Sequence, residues 1–393
     1  MRGQVAWQRA VFCGLMPASL SAAPARPAYY PALTGVRAVA AYLVYFVHFI
    51  PLALHGTWVG YFMRQFYVGV GVFFVLSGFV IATRYQHSVQ LRWAWWRRYL
   101  WRRFARIYPA YFLLNGQVLW ALYWPIKAGM LGNTLLLVVL SQSLLRGLSS
   151  TLKFVGIPQA WSLTVEECFY LSAPLLLLAW QRWGRRGAVG FALAVVGLGL
   201  LLTAACQGRP ALHGLFGSYH HLFNWTFFGR VLEFMLGVGL ARWWHGRPAA
   251  SGAPGWPWRT MGGVVFGIAV LAALAGIRAT STAAEWSDWY DGLLQPSAIA
   301  LNIVVFPVAV VLVLAGLLAE RSWLRALLAS PLLQMLGRSS YFFYLVHVGW
   351  LSTWWQNRFG WERHVLWQFL ATVLVAELGY RLAEEPIRRW LLK

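Results

Sequence analysis

The chain has 393 residues, 60% of them hydrophobic and 11% charged, with a formal net charge of +22 at pH 7. A soluble domain carries about a quarter charged residues, so this composition excludes a soluble globular fold and defines an all-α polytopic membrane protein. The positive charge sits on arginines between apolar runs, with no basic domain outside them, which argues against nucleic acid and for topology and anionic headgroups.

Residues 1–25, within a tail of 1–32, have an early positive charge at Arg2 and a small-residue end, as a secretory signal does. Gln8, Arg9 and Pro17 interrupt the apolar centre, however, so a cytosolic tail is expected there. Apolar runs follow near 34–54, 66–84, 107–124, 131–145, 162–180, 187–206, 224–241, 260–278, 293–318, 335–355 and 364–383. Most have the roughly 20 residues that cross the hydrocarbon as a helix. The run 131–145 is shorter and carries Asn133, Ser141 and Gln142, the size and polarity of a re-entrant or interfacial segment.

Arginine placement decides the count. With a cytosolic N-terminus and ten spans, 23 arginines and lysines lie inside and 8 outside, while Arg37 and Arg230 stay within spans. If 131–145 crosses, the counts become 16 and 15. The positive-inside rule therefore selects ten transmembrane helices with both termini cytosolic. The membrane domain covers 33–386, and 387–393 form a short basic cytosolic tail. Cys13, Cys168 and Cys206 have no paired spacing, so neither a disulfide framework nor a metal site is expected.

The first span holds Arg37 and His48. Their eleven-residue separation makes three turns plus about 20°, so both occupy one helix face, roughly 16.5 Å apart along the axis. The arginine lies toward the cytosol, and two ionisable residues on one face of a span mark a polar path. Arg103 and Arg106, three apart at the cytosolic mouth of the third span, are spaced to chelate phosphate, although topology alone also accounts for them. Glu166 and Glu167 enter a span together from the outside, where one of a like-charged pair must be paired or protonated.

Farther along, Arg230 and Glu233, at i and i+3, are expected to pair with each other as a structural unit. His347 is a second intramembrane histidine. The outer loop 284–292 mixes carboxylates with Trp286, Trp289 and Tyr290, which suit a sugar acceptor; an interfacial aromatic belt is the plainer reading.

Five of these segments form an ordered set. They are Arg37-x10-His48, the run F-F-V-L-S-G-F holding Ser77, Arg103-x-x-Arg106 before Tyr108-Pro109, Trp161-Ser162-Leu163 with Glu166, and Ser340-Tyr341 through Tyr344-Leu345 to His347. Arg230-x-x-Glu233-Phe234 with Gly237, and the ending Tyr380-Arg381, Glu384 and Pro386, extend it. Together they resemble the family-3 membrane acyltransferases, which O-acylate sugars and other hydroxyl compounds at bacterial membranes. The resemblance covers most of the chain. Gly71 stands where many relatives place an acidic or amide residue, and the hydrolase-like domain fused to some relatives is not expected here.

The resemblance implies acyl-CoA as donor, acetyl-CoA being expected, and a glycan or glycolipid hydroxyl as acceptor at or across the cell inner membrane. It implies no permanently bound cofactor. A hydroxyl is a poor nucleophile at neutral pH, and His48 is the natural base because imidazole titrates near working pH. An acyl-histidine intermediate is equally open. Glu166 is expected to orient the imidazole, with Glu167 and His347 as second choices for catalysis. Arg37, Arg103 and Arg106, with Ser77, are expected on the donor side, since guanidinium binds phosphate bidentately and stays charged. Two alternatives stand beside this reading: a transporter or flippase for a glycan or lipid-linked sugar, and an acyltransferase for a small hydroxylated metabolite. Against transport, the chain shows no repeated half with matching Gly/Pro-broken spans.

Overall fold

The structure, a computed structural model, describes residues 29–123, 131–247, 256–280, 295–360 and 365–393. Trp286, Trp289 and Tyr290 lie outside the described residues, as does the tail 1–28. Among the described residues the fold is helical, the one extended pairing being an isolated bridge between Ser149 and Leu215.

Among the described residues, five helical segments are long and apolar enough to cross a membrane: Trp58–Tyr85, Pro158–Cys206, Trp258–Thr280, Pro296–Ala319 and Val365–Leu391. Leu193, Leu201, Val265, Leu366 and Leu374 point outward from them and are exposed, a surface that suits acyl chains rather than water. Where the expected spans and these segments differ, the reasons are local. The runs 162–180 and 187–206 join in one helical stretch that turns at Gly184, whose φ of 59° and ψ of −142° leave the helical region. The first helix, Pro31–His48, carries Arg37 and His48, and Phe227–His245 carries Arg230, Glu233 and Arg242; these offset their apolar residues. Leu131–Gln142 has 12 residues, or about 18 Å of helix against a hydrocarbon core of about 30 Å.

The expected continuous run 335–355 is corrected by the structure to three pieces: Pro331–Arg338, Ser340–Val346 and Trp350–Phe359. The second break follows His347 and contains Gly349 at φ 128°. Gln159 steadies it: its Nε2 donates to the carbonyls of Tyr344, Leu345 and Val348 at 2.9, 3.0 and 3.3 Å. Carbonyls left open at a helix end inside an apolar bundle need such a partner.

At the centre, Gly69–Tyr85 crosses Phe227–His245. A Cβ on Gly78 would stand 2.1 Å from the Phe234 carbonyl oxygen, and one on Gly237 2.0 Å from that of Val75. Only glycine on both helices permits this approach, the usual means of close packing between membrane helices. Phe234 fills the space beside the crossing, stacked on Phe74 and Phe169 at 4.8 and 4.1 Å between ring centroids. The first helix packs against Gly69–Tyr85 and against the 331–346 segment, bringing its polar face into the bundle.

Candidate active site

One cavity of about 250 Å3 opens between these helices. Arg37, Arg103 and Arg106 contribute three guanidiniums to its lining, and Ser77, Glu166 and Ser340 are among its polar groups. Arg37 Nε donates to Ser340 Oγ at 3.5 Å. Arg103 is buried. Its guanidinium stands 5.6, 5.8 and 5.6 Å from the ring centroids of Tyr85, Tyr99 and Tyr170, and its Nη2 donates to the Tyr85 hydroxyl at 3.3 Å. A cation held among ring faces is partly compensated yet keeps N–H groups for another ligand. Arg103 Nε itself is buried without a hydrogen-bond partner.

Glu166 enters the same cavity from the Trp161–Cys206 helix. Its Oε1 accepts from Ser77 Oγ at 2.7 Å and from the Tyr170 hydroxyl. Glu167, on the adjoining face, accepts from the Tyr108 hydroxyl. Each of the two neighbouring carboxylates therefore has its own hydroxyl donor, on different sides of the helix. The field of Glu166 also reaches Arg37, as does that of Glu384 from the last helical segment.

The histidines occupy another part of the bundle. Neither His48 nor His347 lines the cavity, and the two rings meet edge to face with centroids 5.2 Å apart. His48 Nδ1 is 2.7 Å from the Val44 carbonyl oxygen, and His347 Nδ1 is 2.9 Å from that of Tyr344. A carbonyl only accepts, so each Nδ1 is the donor in its contact, and in the neutral ring the lone pair is then on Nε2. Tyr344 joins the two regions. It lines the cavity, shares a 2.8 Å hydrogen bond with Ser162 Oγ, and its ring centroid is 5.6 Å from that of His347.

The structure thus collects Arg37, Arg103, Arg106, Ser77 and Glu166 around one cavity and places His48 beside His347. Tyr170, Tyr344 and Ser162 line the same cavity, and Glu384 acts on Arg37 from outside its lining, although the sequence assigned none of the four a role. Ser162, Tyr344 and Glu384 stood inside the quoted motifs and Tyr170 on the flank of one, but nothing in residue type marked them as part of the site. Arg230 and Glu233 form the expected ion pair, bidentate at 2.7 Å for both contacts and buried. Gly71 faces this pair: a Cβ there would come within 2.6 Å of Glu233 Oε1, so the carboxylate occupies the room that a side chain at position 71 would take.

Among the described residues the protein is thus a bundle of apolar helices with three arginines and one glutamate lining a cavity and two histidines packed beyond it. A family model described as an acyltransferase domain matches residues 30–378, and the chain belongs to that acyltransferase family. It is 30% identical over 350 residues to acyltransferase MdmB of Streptomyces mycarofaciens, covering 82% of this chain and 79% of that protein. It is 26% identical over 380 residues to the peptidoglycan O-acetyltransferase OatA of Listeria monocytogenes, covering 92% of this chain and 56% of that one. A Staphylococcus aureus protein named for O-acetyltransferase activity is 22% identical over 397 residues, and the chain spans 58% of its length. No solved structure matches the chain significantly.

Proposed function

We propose that the protein is a membrane O-acyltransferase that moves a short acyl group, acetyl by expectation, from cytosolic acyl-CoA to a hydroxyl of a glycan or glycolipid at or across the inner membrane. The carrying observation is the cavity itself, where three guanidiniums face one carboxylate. That excess of positive charge suits a polyphosphorylated donor, and arginine binds phosphate with two parallel N–H groups. The relative named as acting on peptidoglycan supports a glycan acceptor.

In this reading the phosphates sit at Arg103 and Arg106, and the thioester arm runs past Arg37, Ser162 and Tyr344 toward His48. His48 Nε2 takes the proton of the acceptor hydroxyl; the oxygen bonds to the thioester carbonyl carbon, the C–S bond breaks, and the thiolate leaves with the proton returned from the imidazolium. Ten spans with cytosolic termini place the donor end inside and His48 in the outer half. Trp286, Trp289 and Tyr290 are the proposed acceptor contacts in the outer loop. Reporter fusions after Gly184 and Gly246 are expected to read cytosol, and one at Ser287 the outside; an outside reading at Gly184 would show that 131–145 crosses and would remove Glu166 from the outer face.

The test of function is transfer of radiolabel from acetyl-CoA to a lipid-linked glycan by the purified, reconstituted protein. Arg103→Ala with Arg106→Ala is expected to raise KM for acyl-CoA with little change in kcat, because phosphate pairing acts on ground and transition states alike. An unchanged KM would reduce both arginines to a topological role.

A further inference from the structure

We infer that the working partner of His48 is a second imidazole, His347, which acts as a positioning residue. This rests on the acyltransferase reading with His48 as base, and it moves to His347 the orienting role that the sequence suggests for Glu166.

The observations concern His347 itself. Its residue is fully buried, at 0% exposure, and its Nε2 has no hydrogen-bond partner. An acceptor nitrogen buried and left unbonded is costly, so the fold must compensate it elsewhere or use it. The surroundings hold the ring in one orientation. Phe343 lies parallel to it at 5.9 Å and 3°, the Tyr344 carbonyl takes its Nδ1–H, and Gln159 secures the chain turn that carries it. A ring so fixed can present only an acceptor nitrogen, and its nearest ionisable neighbour is His48, 5.2 Å away between centroids.

Glu166 is differently engaged. Its Oε1 accepts from Ser77 and Tyr170 at the cavity, and its field acts on Arg37. A neutral ring also suits the site better than a carboxylate. An anion next to His48 would favour a resident imidazolium, which cannot take a proton, whereas an uncharged acceptor does not favour that charge at rest and stabilises it once it forms. When the acceptor hydroxyl gives its proton to His48 Nε2, the charge on that ring is met by the lone-pair side of His347. When the thiolate takes the proton, both rings return to neutrality.

Asparagine and glutamine separate the two nitrogens, because an Asn amide reaches about as far as Nδ1 and a Gln amide about as far as Nε2. The reconstituted protein is assayed for kcat and for KM of acetyl-CoA as His347→Asn and His347→Gln, each alone and with His48→Ala. His347→Asn is expected to lower kcat about 10- to 100-fold with KM unchanged, within the range for a group supporting general-base catalysis. His347→Gln is expected to recover most of that loss, and neither is expected to slow the His48→Ala protein further. The inference is overturned if His347→Asn stays within about threefold of wild type. It is also overturned if the Asn loss persists in full on the His48→Ala background, since a purely structural role would do that. Should His347→Asn fail to insert, the His347→Gln pair with and without His48→Ala carries the same comparison. No transfer by the wild-type protein would instead overturn the acyltransferase reading, and this inference with it.

Discussion

His48→Ala is expected to lower kcat about 10²–10⁴-fold, the usual contribution of a positioned general base, while the protein still inserts and binds acyl-CoA. The geometry behind this is the carbonyl of Val44 at 2.7 Å from Nδ1, which leaves Nε2 as the basic nitrogen at the end of the helix that carries Arg37. His48→Gln keeps volume and a hydrogen bond but has no nitrogen that takes a proton near neutral pH, so it should be nearly as slow. A stably inserted His48→Gln protein acylating at close to the wild-type rate would remove His48 from the chemistry. A transporter would show a different signature, loss of flux with no acylated product from any variant.

The second large effect is on stability. Arg230→Ala or Glu233→Ala alone should cost about 3–5 kcal/mol, because each leaves its partner as an uncompensated charge inside the bundle. Both side chains are buried, their contact is bidentate, and Arg230 also donates to the Asn224 carbonyl at 3.2 Å. Replacing the pair together by Arg230→Met and Glu233→Leu should cost less than either single change, since no charge is then stranded. Thermal unfolding in detergent reads both quantities. Equal and additive losses would show that the pair is not coupled.

Much of the architecture could be read directly. Runs of about 20 apolar residues and the low charge content announce a helical membrane protein, because hydrocarbon tolerates little else. The i, i+3 spacing of Arg230 and Glu233 was enough to pair them, since such neighbours share a helix face wherever the helix sits. Breaks were less legible. The run 335–355 reads as one span because its residues are apolar throughout; its division after His347 depends on Gln159, nearly 190 positions away in the chain, reaching over to take the freed carbonyls.

The pairing of site residues divides the same way. By itself the sequence determined that Arg37 and His48 lie on one face of one helix, and that Arg103 and Arg106 share another, because helical period places residues within an element. Only the tertiary structure decided which faces meet. It turned the Glu166 carboxylate to Ser77 and Tyr170 and set His347 against His48. It also put Glu384 within electrostatic reach of Arg37. The reason is physical: contact between side chains on different helices depends on the rotation and depth of each helix against its neighbours. Those are fixed by close approaches such as Gly78 on Phe234 and Gly237 on Val75, not by the spacing of residues along any one of them.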